Sequence, residues 1–93
     1  MEAKITEKKL KQYLELTNKA LNLAKKNINP KKKQEAKEIL AMAEAYLSDS
    51  KHFKKQGNLV NSFAAVNYAH GWLDSGARLG VFKVKDTQLF TIE

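Results

Sequence analysis

Between Ala45 and Gly80 the chain reads AYLSDSKHFKKQGNLVNSFAAVNYAHGWLDSGARLG, and this stretch constrains the fold more than any other. It describes two helices joined at Gly57-Asn58. Glycine takes the left-handed conformation that ends a helix, and an asparagine side chain accepts from the free N–H groups that open the next one. So short a connection makes the helices lie antiparallel and in contact. The second of them is crowded with alanine, glycine and aromatic residues, which suits a central position. No phosphate loop, metal spacing or catalytic constellation accompanies the hairpin, so it defines an architecture and not a chemistry.

A third helix is predicted ahead of it, over about 6–27. Thr6 is an acceptable N-cap and Glu7 suits the positive first turn. Leu10, Tyr13, Leu14, Thr17, Ala20, Leu21, Ala24 and Ile28 recur at steps of three and four, one helical face. Leu16 and Leu23 fall outside that stripe, as edge residues of a broad core face or as a seam for a partner. Asn29-Pro30 closes this helix and opens the next, expected over about 30–56, because proline at the first helical position forfeits no hydrogen bond. The buried face of that helix reads Ala36, Ile39, Leu40, Ala43, Tyr46, Leu47, Ser50 and Phe53, with Met42 at its margin. The last helix is expected over about 59–79, with Ala65, Val66, Tyr68, Ala69, Trp72, Leu73, Gly76, Ala77 and Leu79 on a wide apolar arc. Trp72 reads as largely buried. Gly71 and Gly76 each weaken a helix by about 1 kcal/mol relative to alanine, and both read as sites of close approach or a socket for Trp72.

The end of the chain, 81–93, changes character. Val81, Phe82, Val84, Leu89, Phe90 and Ile92 favour extended structure, with a turn at Lys85–Gln88. An isolated hairpin is marginal in water, so this tail is expected to dock on the bundle over Val60 and Phe63, or to pair with another copy. The fold class is therefore all-α: one domain over 1–93, a three-helix up-down-up bundle with an extended C-terminal tail.

Composition narrows the function classes. Cysteine is absent, which excludes disulfides, thiolate metal sites and cysteine nucleophiles and fits a reducing cytoplasm. The N-terminus is charged where a signal peptide carries an apolar core, and no window approaches the roughly 18 apolar residues of a membrane span. The expectation is a cytoplasmic protein with no membrane association. The formal net charge is +7, and all of the excess falls within residues 1–57. Lys25, Lys26, Lys31, Lys32 and Lys33 form a candidate anion or nucleic-acid patch. The last three sit on the first turn of a helix, where cations oppose the macrodipole; they mark an anion site or a solvated terminus. Against nucleic acid stands the single arginine, Arg78, since arginine is the bidentate reader of phosphate and guanine.

Asn67, His70, Asp74 and Arg78 make a candidate polar surface stripe at helical spacing. A base role for His70, oriented by Asp74, would need a nucleophile and an oxyanion group that the sequence does not supply. His52 and His70 project from unlike faces, which leaves no metal set. Neither a catalytic residue nor a cofactor is expected. The reading is of a non-catalytic interaction module with an unidentified protein partner and a homodimer as candidate assembly. The alternative is an accessory nucleic-acid-binding protein that binds weakly and non-specifically through lysines.

The segments Ala45-Tyr46-Leu47, Asp49-Ser50, His52-Phe53, Gly57-Asn58, Ala64-Ala65 and Arg78-Leu79-Gly80, and above all YAHGWLDSG, resemble a small archaeal family catalogued as domain of unknown function 357. The resemblance covers the last half of the chain well and the first helix by pattern alone. It implies an all-helical archaeal cytoplasmic protein and brings no catalytic residues with it. A weaker similarity is to nucleotide-binding helical domains of higher eukaryotes and prokaryotes, whose nuclease motif is missing here.

Overall fold

The computed structural model describes residues 5–91; the expectations for Ile92 and for the first residues of the chain lie outside them. Three helices follow one another as α1 (Glu7–Lys26), α2 (Lys33–Lys55) and α3 (Leu59–Arg78). The N-caps of α1 and α3 are those the sequence announces. Thr6 accepts from the Lys9 amide and Asn58 from the Asn61 amide. Gly57 and Gly80 adopt φ of 77° and 72°. At both ends the two amides past the helix turn back onto its last carbonyls: Gly57 to Lys54 and Asn58 to Phe53, then Gly80 to Ala77 and Val81 to Gly76. Two orphan acceptors at the end of each helix are thereby satisfied.

The link between α1 and α2 departs from expectation. Pro30–Lys32 form a 3₁₀ turn ahead of α2, capped by Asn29, whose Oδ1 accepts from the Lys31 amide. Ile28 is not helical; it makes an isolated antiparallel bridge with Phe82. Around that bridge Asn29 N–H donates to Val81 O (2.9 Å), Lys83 N–H to Asn27 O (2.7 Å) and the Asn29 side-chain amide to Gly80 O (2.9 Å). A clasp therefore ties the α1–α2 link to the chain just beyond α3.

Packing is unequal. The α2–α3 hairpin is the principal pair, and α1 lies mainly on α3 with little contact to α2. Small buried residues let the hairpin helices approach: Ala36, Ala43 and Ser50 on α2; Ser62, Ala65, Ala69, Gly76 and Ala77 on α3. Gly76 makes room for the ring of Phe82, just beyond α3, with which a Cβ there would collide. Gly71, by contrast, is exposed and faces open space, so the close approach expected of it is not found. Leu23 is a half-buried edge residue of the core, and Leu16, also half-buried, lines the cleft that takes the tail.

The tail forms no strand with itself among the described residues. The Asp86 carboxylate accepts from the amides of Gln88 and Leu89, and Phe90 N–H donates to Asp86 O. These bonds wind residues 87–89 into a turn, close to the one expected at Lys85–Gln88, because an aspartate side chain mimics the carbonyl of a helical turn. The tail also docks elsewhere than expected. Val60 stays 66% exposed, and Phe63 is met by Tyr13, edge to face at 4.9 Å. The segment Thr87–Thr91 instead lies in the cleft beside Tyr13, Leu16, His70 and Asp74. Phe90 is 2% exposed there.

Candidate functional site

The polar stripe on α3 divides. Asn67 and Arg78 are exposed, as a surface stripe requires, but His70 and Asp74 are half-buried and hold the tail. His70 Nε2 lies 2.7 Å from Leu89 O and Nδ1 lies 3.0 Å from Thr17 Oγ1. A carbonyl only accepts, so Nε2 carries a proton; the neutral ring then accepts from the Thr17 hydroxyl at Nδ1. Asp74 Oδ1 is 3.6 Å from Nε2 and accepts from the Thr91 amide at 2.9 Å. The sequence reading of a solvated His70 is thus corrected. Thr17, His70 and Asp74 are the residue types of a hydroxyl-activating triad, yet Thr17 is 1% exposed and the Leu89 carbonyl occupies the ring's other nitrogen. What this group does is fasten α1, α3 and the tail together.

The lysines gather at the end of the molecule where α1 stops and α2 starts, but two of the five have partners. Lys25 pairs with Glu44 at 3.4 Å. Lys32 Nζ donates to Leu79 O at 2.7 Å, placing its charge on the carbonyl end of α3. This explains one apparent violation of the macrodipole rule: Lys32 serves the C-terminus of a neighbouring helix, where a cation is favourable. Lys26, Lys31 and Lys33 are exposed.

The side of the hairpin away from α1 carries a different surface. Trp72 is half-buried, not enclosed as its arc suggested, because α1 covers only one flank of α3. Its indole Nε1 is out of solvent and has no acceptor among the described residues, a condition that costs about 1–3 kcal/mol. Tyr68 and Leu79, also assigned to the core by periodicity, are 60% and 66% exposed. Tyr68 stacks on Tyr46, with ring centroids 4.5 Å apart and planes 19° from parallel.

Beside them a groove of about 640 Å³ is lined by Ile39, Met42, Trp72, Leu79 and Val81 and flanked by Lys32, Glu35 and Glu38. Trp72 also lines a shallower depression with Tyr68, Gly71 and Ser75, and Tyr68 lines a third with Tyr46, Asp49, Phe53 and Asn61. The shared residues make one continuous apolar and aromatic face along the hairpin. Such a face is the usual mark of a docking surface on a small protein. A helical wheel shows the stripe, and only the placement of α1 shows which part of it stays uncovered.

Among the described residues no group of histidine, cysteine and acidic side chains is arranged to hold a metal ion, and no helix is long and apolar enough to cross a membrane. A family model described as a protein of unknown function, DUF357, matches residues 12–82. No curated protein and no solved structure matches the chain.

Proposed function

Since the chain belongs to the DUF357 family, whose description assigns no activity, we propose a function from its own surface: a small non-catalytic module that docks a protein partner on the α2–α3 face. The observation that carries this reading is the continuous face of Met42, Tyr46, Tyr68, Trp72 and Leu79 left open opposite α1. Exposed aromatic and methionine side chains are the residue types enriched at interface centres. The burial of Thr17 and the engagement of both His70 nitrogens support the non-catalytic part. The proposed setting is an archaeal cytoplasm, in keeping with the family resemblance and the cysteine-free composition.

The test is a photo-crosslinking residue placed at Tyr68 and, as control, at Val60, which is equally exposed but lies off the face. In the native host a discrete adduct is expected from Tyr68 alone. Adducts of equal yield from both positions, or none from Tyr68, refute the assignment.

A second reading is weak, non-specific nucleic-acid binding, favoured by the exposed Lys26, Lys31 and Lys33 near one end of a chain of net charge +7. Affinity for a single-stranded oligonucleotide should then fall steeply with salt. Reversing these three lysines to glutamate should lower the log–log slope by about 2. No binding even at low salt removes this reading.

A further inference from the structure

The charges beside the docking face are segregated in a way that specifies an occupant. On α2, the residues within about 60° of Met42 on the helical wheel include Glu35, Glu38, Ala45 and Asp49 and no lysine. Lys33, Lys37, Lys51, Lys54 and Lys55 all fall on the far side of the same helix. Glu35, Glu38 and Asp49 are exposed, and Glu44, the remaining acid of α2, points away and pairs with Lys25.

Across the groove, the outward arc of α3 is Asn61, Ala64, Tyr68, Gly71, Trp72, Ser75 and Leu79, without a charge. Of the two cations nearby, Lys32 is committed to Leu79 O, and Arg78 lies at the margin of the arc. The acidic flank thus runs along an apolar face on a chain whose overall charge is +7.

Gly71 adds an independent observation. It sits exposed inside α3 with nothing within 4 Å of where a Cβ would be. A helix interior gains stability from alanine at such a position, and no contact among the described residues requires glycine. An incoming backbone that passes close to α3 beside Tyr68 and Trp72 does require it.

We infer that this face receives an amphipathic helix of another protein, apolar on the side that enters the groove and basic on its flank. This deepens the docking reading and rests on it. The mode is helix-in-groove, in which apolar anchors at helical spacing supply affinity and flanking charges supply specificity. A second copy of the chain is a poor occupant. Its two lysine-rich helices, α1 and α2, have the apolar residues behind their lysines buried in its own core, and an isologous contact sets the acidic flank near its own image.

The net positive field of the protein repels a basic helix at long range and attracts an acidic one, so local and global electrostatics predict opposite preferences. Two designed peptides of about 18 residues, long enough to hold a helix, share a leucine face and carry lysine or glutamate on the other. Fluorescence anisotropy of each labelled peptide is measured against the full chain at moderate salt. The lysine peptide is expected to bind at least about tenfold more tightly. The double substitution Glu35→Lys, Glu38→Lys is expected to reverse the order, and Met42→Glu and Tyr68→Glu, both on exposed positions, to abolish binding of either peptide.

If the glutamate peptide binds as well or better, and binding still requires Met42 and Tyr68, the basic partner is overturned while the docking face stands. If neither peptide binds, or if both surface substitutions leave binding unchanged, inference and docking face fall together. Self-association of the chain in sedimentation, lost in Met42→Glu, assigns the face to a second copy and overturns the inference.

Discussion

The hydroxyls of Ser50 and Ser62 each donate to the other's backbone carbonyl, at 2.6 Å in both directions, across a fully buried contact between α2 and α3. The exchange satisfies two buried donors where the hairpin helices are too close for larger side chains. The two hydroxyl oxygens also lie 3.0 Å apart, so each side chain touches its partner's side chain as well as its carbonyl. Ser50→Ala and Ser62→Ala should each cost about 1 kcal/mol, and because the two are in contact the double variant should depart from their sum by about 0.5 kcal/mol or more. Urea denaturation of the four proteins checks this; strict additivity would mean that the two hydroxyls do not act on each other.

The two helical glycines of α3 should respond in opposite directions. Gly76→Ala drives a methyl into the Phe82 ring, which is itself 1% exposed, and should destabilise by about 1–3 kcal/mol despite the better helix propensity. Gly71→Ala meets nothing and should stabilise by up to about 1 kcal/mol. Thermal melts followed by circular dichroism separate the two, and equal effects would contradict the packing at Gly76.

Phe90 should behave as a core residue although it lies in an irregular tail. Phe90→Ala is expected to cost about 3 kcal/mol or more, whereas Val60→Asp, at the site where the sequence suggested the tail would dock, should change stability by less than about 0.5 kcal/mol. His70→Ala should loosen the tail before the helices. Hydrogen exchange would report it first at the Phe90 and Thr91 amides, whose acceptors are Asp86 O and Asp74 Oδ1; uniform loss of protection across the bundle would count against this order.

Trp72, the chain's one tryptophan, should emit between the limits of buried and solvated indole and be quenched readily by acrylamide. Because Nε1 has no acceptor, Trp72→Phe forfeits no hydrogen bond and should cost about 1 kcal/mol or less. Trp72→Ala should cost less than the roughly 3–5 kcal/mol typical of an enclosed aromatic. A fully blue-shifted, unquenchable emission would place the ring inside the core after all.

What was legible in the sequence follows the range of the interactions. Thr6, Gly57, Asn58 and Gly80 act on backbone groups within a few residues, so the helix ends could be read from local chemistry. The buried faces of α1 and α2 followed from periodicity for the same reason. Thr17 and His70 lie 53 residues apart and Asn29 and Gly80 lie 51; no local pattern brings such pairs together. Tyr68, Trp72 and Leu79 show the limit of the wheel, because an apolar arc reveals what can be buried and not how many neighbours arrive to bury it. The proposed docking face is that shortfall of cover. The five lysines were found as a cluster, but the role of Lys32 at Leu79 depends on where α3 ends in space.

The clasp between the α1–α2 link and the chain beyond α3 has a mechanical consequence. Its antiparallel strands enter and leave on one side, with Asn27 opposite Lys83 and Asn29 opposite Val81. Tension applied to the two chain ends would first load the bonds that hold the tail on α3, Thr91 to Asp74 and Leu89 to His70, and once these part it would run along α1, across the clasp and out through the freed tail. The clasp would then be loaded in peeling, the Lys83–Asn27 bond first, with the backbone of the hairpin off the load path until the last bond parted. A single-molecule pulling trace should therefore show release of tail and α1 before any extension of the hairpin. A first event long enough to include both hairpin helices would rule this load path out. The proposed docking face lies, by this wiring, off the path that strain at the chain ends takes once the tail has left α3.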